Sequence, residues 1–352
     1  MTCIGSASAS SPRPDTYLAL KSAAPTIESL AGDLRRVDGL RLWAKAPAAP
    51  FTTIGTGGDV ALLVTVANPR ALSGALELIE SRGCGWACLG AGSNLLVADS
   101  GYPGVLIKLD EDFHYVEGLP SPPGGEGSRV RITVGAGAYL TRLSAVAAEA
   151  GISGLEAACG IPGSVGGGVA MNAGAHGWSL AQVVEEVQVA SAAGVRWLSA
   201  SALEWGYRYC RLPERSMVTA VRLMLMSGDR TAILEHHRSL LRTRRTTQPR
   251  AVRTFGSAFK NPPGETAGRL LEVAGLKGVR RGGAEVSTVH ANFVVNLGDA
   301  TTTDVLALMT LMRQGVQRTS GISLESEVRL LGASFPWEPL SPDSQELPGG
   351  DG

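Results

Sequence analysis

Apolar and polar positions fall into blocks along the chain that read as interleaved strands and helices. "DVALLVTV" (59 to 66) is a short, nearly continuous apolar run and predicts a strand. "PRALSGALELIESRG" follows with apolar residues at helical spacing and Gly83 behind them, an amphipathic helix with its stop. "WACLG" and "GVLIKL" (104 to 109) predict two further strands. Past a Pro/Gly-rich hairpin, "SPPGGEG", come a strand, "RVRITVGAG", and a helix, "YLTRLSAVAAEAG", that ends at Gly151. "VVEEVQVAS", "GVRWLS" and "MVTAVRLML" predict strands of one sheet.

From about Gly228 the pattern changes. "ILEHHRSLLRTRR" predicts a basic helix, "AGRLLEVAGLKG" and "TTDVLALMTLMRQGVQRTSG" two more, and "HANFVVNLG" and "SEVRLLG" two strands. A domain boundary is expected near residue 228, and a chain of 352 residues exceeds one ordinary core. The fold class is mixed α/β, of the α+β kind. The first forty or so residues, Ser/Ala/Pro-rich with a weak helical stretch near "TIESLAGDLRRV", and the end, "SPDSQELPGGDG", read as tails.

Composition narrows the classes. Thirty-two basic residues balance 32 acidic ones, so a broad nucleic-acid footprint is disfavoured while a local site for a phosphorylated small molecule stays open. Five scattered cysteines without a CxxC pair point to a reducing compartment. The five histidines have no metal-ligand spacing, so no metal is expected. No run is apolar enough to span a bilayer, and the start lacks the apolar centre of a signal peptide. A cytoplasmic protein is expected.

Against this background "GIPGSVGGGVAMNAGAHG" (160 to 177) stands out: it is rich in glycine, carries no full charge, and is studded with Ile161, Pro162, Val165, Val169 and Met171. Two readings stay open, a loop pressed against something flat or anionic and a tight structural turn with close helix packing. Earlier, "WACLG" runs into "GAGSNLLV", where the backbone N–H groups of Gly90, Ala91, Gly92, Ser93 and Asn94 can form an anion-binding nest. It is neither a Rossmann fingerprint nor a P-loop. Two glycine sites separated by a βα unit suggest a dinucleotide lying along the domain. "YRYCRL" sets Arg208 beside two aromatics, "TFGSAFKNPPG" carries Ser257 without a GxSxG elbow, and "LESEVRLLG" puts Glu327 and Arg329 on one strand face.

The ordered segments "APFTTIGTGG", "GAGSNLLV", "GIPGSVGGGVAMNAGAHG", "YRYC", "GSAFKNP", "GGAEVSTVHANFVVN" and "LESEVRLLG" resemble the UDP-N-acetylenolpyruvoylglucosamine reductase family, over about residues 47 to 332. These are the flavoenzymes that make UDP-N-acetylmuramate for peptidoglycan. The resemblance implies a two-lobed FAD-binding module of the vanillyl-alcohol-oxidase/p-cresol-methylhydroxylase type and a smaller C-terminal α+β substrate domain. The expected division is an extension over 1–46, largely disordered; the FAD module over 47–228, with lobes of about 47–110 and 111–228; the substrate domain over 229–334; and a tail over 335–352.

The resemblance also implies roles. Gly90, Gly92, Ser93 and Asn94 match the diphosphate loop, and Ile161, Gly167 and Gly174 match positions lining the flavin. Arg244 and Arg329 match arginines near the cofactor. Ser257 matches the proton donor, and Arg208 and Glu327 the residues that accompany it. Asn261 and Tyr207 fall at substrate positions. FAD held tightly, NADPH as hydride donor and UDP-N-acetylglucosamine enolpyruvate as substrate follow, in a monomer. The chemistry suits these types: a fixed guanidinium can hold an enolate-like charge, and a hydroxyl within ~3 Å can protonate it. Two other readings are another FAD oxidase or dehydrogenase of the same fold and a non-catalytic flavin or nucleotide-sugar binding protein. Cys210 replaces a serine frequent in the family, a lysine of one branch is replaced around Thr247, and the insertion carrying a capping tyrosine has no room, which marks the shorter branch.

Overall fold

The computed structural model describes residues 27–119 and 125–338. Helix α1 (Ile27–Leu34) turns Leu30, Ala31 and Leu34 into the core, and strand β1 (Leu40–Pro47) pairs antiparallel with β2 (Asp59–Val66). Residues 27–46 are therefore folded, against the expectation of an extension disordered to 46: an apolar helix stripe and a strand-pairing edge both find partners. Residues 1–26 lie outside the described residues. Helix α2 (Pro69–Ser81) starts with Pro69 inside an Asn68 cap that accepts from the Ala71 N–H, and Gly83 at φ +65° follows its end. Strands β3 (Trp86–Leu89), β4 (Leu95–Val97) and β5 (Tyr102–Leu109) complete the first lobe, whose sheet runs β1-β2-β5-β3 with β5 parallel to β2 and β3. The unbroken apolar run of β2 follows from burial on both faces: Leu62, Val64 and Val66 join the main core, Val60 and Leu63 a second cluster.

The second lobe is antiparallel. Strand β6 (Val116–Glu117) pairs with β7 (Arg129–Gly135), helix α3 (Leu140–Glu149) ends before Gly151 at φ +69°, and β8 (Ile152–Ser153) follows. Of the expected hairpin at 121–127, residues 121–124 lie outside the described residues. Helix α4 (Val165–Ala170), a small hairpin of β9 (Gly174–Ala175) and β10 (Trp178–Ser179), then β11 (Val184–Ser191) and β12 (Gly194–Ser199) come next. A second hairpin, β13 (Glu204–Gly206) and β14 (Tyr209–Arg211), precedes β15 (Met217–Ser227). The sheet order is β12-β11-β15-β7-β6, with β8 also on β15. Helix α2 packs against β11 and β12, so one apolar core serves both lobes.

Helix α5 (Arg230–Thr247) packs on α3 and on the turn at 156–158, not on the C-terminal sheet, although sequence set it beyond the expected boundary at 228. Its basic, sparsely apolar pattern buries Ile233 alone and does not announce a partner. Helix α6 (Ala267–Val273), strands β16 (Arg280–Arg281), β17 (Ala284–Val286) and β18 (Val294–Asn296), and helix α7 (Thr302–Ser320) surround a separate core built on Phe255, Phe259, Leu271 and Met309. Strand β19 (Arg329–Leu331) then leaves that core and pairs in parallel with β4 of the first lobe.

Further bonds tie the same two parts. The Asp99 carboxylate accepts from the Thr302 and Thr303 N–H groups at 2.8 Å, at the start of α7, and Asn296 Nδ2 donates to the Ile54 carbonyl at 2.9 Å. Phe335 is buried and stacks on Trp337 at 4.9 Å, which corrects the expected start of a tail at 335; residues 339–352 lie outside the described residues. Among the described residues no helix is long and apolar enough to cross a membrane, and no cluster of metal-ligating side chains occurs.

Candidate active site

The two glycine-rich segments meet. Gly92 sits at φ +67°, and a β-carbon on it would lie 1.9 Å from the Phe51 carbonyl oxygen, so only glycine lets the loop 90–94 pass. The Gly92 carbonyl accepts from the Thr53 N–H at 3.0 Å. Ser93 Oγ donates to the Pro162 carbonyl at 2.8 Å, which fastens this loop to the one entering α4. Beside it a β-carbon on Gly90 would come within 2.7 Å of Ser164 Oγ, the α4 cap that accepts from the Gly167 N–H.

Within the segment 160–177 the glycines of α4 differ in what they face. Gly166 and Gly168 face protein: added β-carbons would lie 2.9 Å from Ala136 and 2.8 Å from Leu140. Gly167 between them is exposed, and its β-carbon would meet Ser164 Oγ alone. Ile161 is half-buried against the main core. Gly174 is needed by its own hairpin, since a β-carbon there would be 2.3 Å from the Trp178 carbonyl oxygen.

On the other side stands a half-buried ion pair. Tyr207 and Arg208 form the two-residue turn of the β13–β14 hairpin, and Arg208 takes φ +63°, a costly conformation outside glycine. Its Nε lies 2.7 Å from Glu327 Oε1, and its guanidinium sits 4.9 Å from the centre of the Tyr207 ring. The side chains keep only 21% and 16% of their surface exposed. Burial pushes the Glu327 carboxyl up, against the pull of Arg208 and then of Lys260.

Ser257 is half-buried on an extended segment that bridges to Phe293; one residue on, the Ala258 carbonyl accepts from the Glu327 N–H at 2.9 Å. Among the described residues nothing hydrogen-bonds the Ser257 hydroxyl. Asn94 links this half to the glycine loop: its Nδ2 donates to the Glu327 carbonyl and its own carbonyl accepts from the Arg329 N–H, both at 3.1 Å. Asn261 donates its N–H to the Tyr207 hydroxyl at 3.3 Å and accepts the Ala267 N–H on Oδ1 at 3.0 Å, so that oxygen is engaged within the protein. Arg329 is exposed on β19. Sequence did not single out Thr53 and Ser164, which bond to the two glycine segments; only position in the fold, not residue type, sets them apart.

The residues present fit a flavin dinucleotide. Arg244 leans on Gly160, whose β-carbon would lie 3.1 Å from Arg244 Nε, and that Nε is buried without a protein partner while the guanidinium feels the charge of Arg208. A cation so placed suits an anion that the protein itself does not supply. Cys210 is buried, which pushes its thiol up to about 12 and disfavours the thiolate.

Residues 60–199 match the FAD binding domain family, and residues 248–331 match the C-terminal domain of UDP-N-acetylenolpyruvoylglucosamine reductase. The UDP-N-acetylenolpyruvoylglucosamine reductase of Myxococcus xanthus is 42% identical over 304 residues, 86% of this chain and 96% of its own. This chain belongs to the UDP-N-acetylenolpyruvoylglucosamine reductase family. The reductase of Anaeromyxobacter sp. (strain Fw109-5) is 46% identical over 303 residues, 85% of this chain and 91% of its own. The crystal structure of the Thermus caldophilus reductase superimposes with a TM-score of 0.70 at 38% identity, covering 83% of this chain and 98% of that one. An FAD-binding domain joined to a reductase C-terminal domain is the fold class that the sequence implied, and FAD is the cofactor.

Proposed function

We propose that this chain reduces UDP-N-acetylglucosamine enolpyruvate to UDP-N-acetylmuramate at the expense of NADPH. The observation that carries the reading is the half-buried Arg208–Glu327 pair, 2.7 Å apart, one backbone bond from the residue after Ser257 and tied through Asn94 to the glycine loop. FAD, when bound, would supply the two-electron relay between NADPH and the enolpyruvyl ether. The loop 90–94 and the exposed backbone at Gly167 would hold the dinucleotide, with Arg244 against its negative charge.

Hydride addition leaves negative charge spread over the carboxylate side of the substrate. Arg208 meets that charge without changing its own protonation, and its turn, strained at φ +63°, fixes the guanidinium in advance. Ser257 gives its hydroxyl proton to the other alkene carbon, and Glu327 orients Arg208. Tyr207 and the free amide of Asn261 face the nucleotide sugar, and Arg329 lies toward the cofactor. We place the substrate domain from about residue 248, after α5, and the reaction in the cytoplasm.

The test is an anaerobic experiment on the yellow protein in two halves. NADPH should bleach the flavin, and the enolpyruvyl sugar alone should restore its colour. Bleaching without recovery on that sugar would overturn the substrate; a protein that takes up no FAD would overturn the flavoenzyme.

A further inference from the structure

We propose that Asn292 is the positioning residue for the Ser257 hydroxyl, fixing the strand that carries it; the proposal rests on the proton-donor reading of Ser257. The segment 257–260 runs between two others. On one side Glu327 N–H donates to the Ala258 carbonyl and Lys260 N–H to the Glu325 carbonyl, each at 2.9 Å. On the other side Phe293 bridges Ser257, and the Asn292 carbonyl accepts from the Ala258 N–H at 2.8 Å. There the backbone ladder stops, because residues 287–290 turn on Ser287 Oγ, which accepts from the Val289 and His290 N–H groups.

The Asn292 side chain takes the place of the missing strand residue. Its Oδ1 accepts from the Phe259 N–H at 3.0 Å and its Nδ2 donates to the Phe259 carbonyl at 2.8 Å. A carboxamide presents an acceptor and a donor on two separate atoms, as a peptide group does. Phe259 is fully buried and Asn292 only 3% exposed, so water cannot replace these bonds. Asn292 is itself held, donating its N–H to His290 Nδ1 at 3.2 Å. All its bonds lie within the protein, so it acts on the reaction through a strand whose hydroxyl must sit within a fraction of an ångström of its target.

The experiment compares holoenzymes carrying Asn292→Ala, Ser257→Ala and both changes, with each half-reaction followed anaerobically. Asn292→Ala should let NADPH reduce the flavin within about twofold of the parent rate, while slowing reoxidation by the enolpyruvyl sugar roughly tenfold to a hundredfold. The double variant should reoxidise no more slowly than Ser257→Ala alone, because the two residues serve one proton transfer. The Phe259 amide should exchange its hydrogen faster in Asn292→Ala, a readout independent of turnover. Equal slowing of both halves, or parent-like reoxidation despite faster exchange at Phe259, overturns the proposal. If Ser257→Ala reoxidises normally, the proton-donor reading itself falls; if Ser257→Ala is slow and Asn292→Ala is not, only the positioning role falls. Should Asn292→Ala not fold, Asn292→Asp keeps the volume and the acceptor and must show the same one-sided slowing, or the proposal fails.

Discussion

Asn94 Nδ2 donates to the backbone carbonyl of Glu327 at 3.1 Å across 233 residues of sequence. This bond ties the glycine loop of the first lobe to the segment that bears the Glu327 carboxylate. Parallel pairing of β4 with β19 reinforces the link. The site is thus assembled from distant parts of the chain, each testable separately.

Ser257→Ala should leave flavin reduction by NADPH nearly intact and slow reoxidation by the enolpyruvyl sugar about a hundredfold or more, since the lost proton matters only there. Stopped-flow absorbance of the two half-reactions is the check. Loss shared equally by both halves would remove Ser257 from the donor role.

Arg208→Lys should bind FAD as the parent does and yet lose about tenfold to a hundredfold in the second half-reaction, because a point charge on a flexible stem replaces a planar guanidinium held at 2.7 Å from Glu327. Flavin content and reoxidation rate together decide it. Full activity with lysine would show that charge alone suffices.

The glycines of α4 should separate by face. Gly167→Ala should not destabilise the flavin-free protein, because alanine suits a helix interior better by about 0.5–1 kcal/mol, while FAD affinity falls. Gly168→Ala drives a methyl group to 2.8 Å from Leu140 and 2.9 Å from Leu180, so it should lower the melting temperature with or without FAD. Melting curves at graded FAD concentrations distinguish the two, and identical behaviour would contradict the facing inferred for Gly167.

Glu327 gives a pH signature. Its carboxyl is raised above the ordinary 4.5, chiefly by burial, so the folded chain keeps that proton to higher pH than the unfolded chain does. The stability this contributes is present in full below that ordinary value and is lost as pH rises through the raised one. The unfolding free energy of the parent should therefore fall relative to Glu327→Gln across that window and stay level above it. A gap that moves in favour of the parent with rising pH would mean that the Arg208 charge outweighs burial.

Asp99→Ala should destabilise the junction between the first lobe and the C-terminal part by about 1–3 kcal/mol, since it removes a charged acceptor from two N–H groups at the start of α7. Denaturant unfolding is the measure. An unchanged midpoint would show that β4–β19 pairing carries the junction alone.

By itself the sequence determined the local structure and the family. Apolar periodicity and glycine stops located β2, α2, α3 and α7, because the signal for each lies within one turn or one strand of the residue it describes. The motif residues named the chemistry before any fold was known. Tertiary structure alone decided the rest. Helix α5 carries few apolar residues, and its place on α3 depends on a surface that its own sequence does not encode. Residues 27–46 look like a tail until β2 offers β1 an edge. Among Gly166, Gly167 and Gly168 only Gly167 faces outward, a distinction made by Ala136, Leu140 and Leu180 and not by the run itself. The Arg208–Glu327 pair and the Asn292 clamp join residues far apart in sequence, and such contacts come from packing, which local pattern does not record.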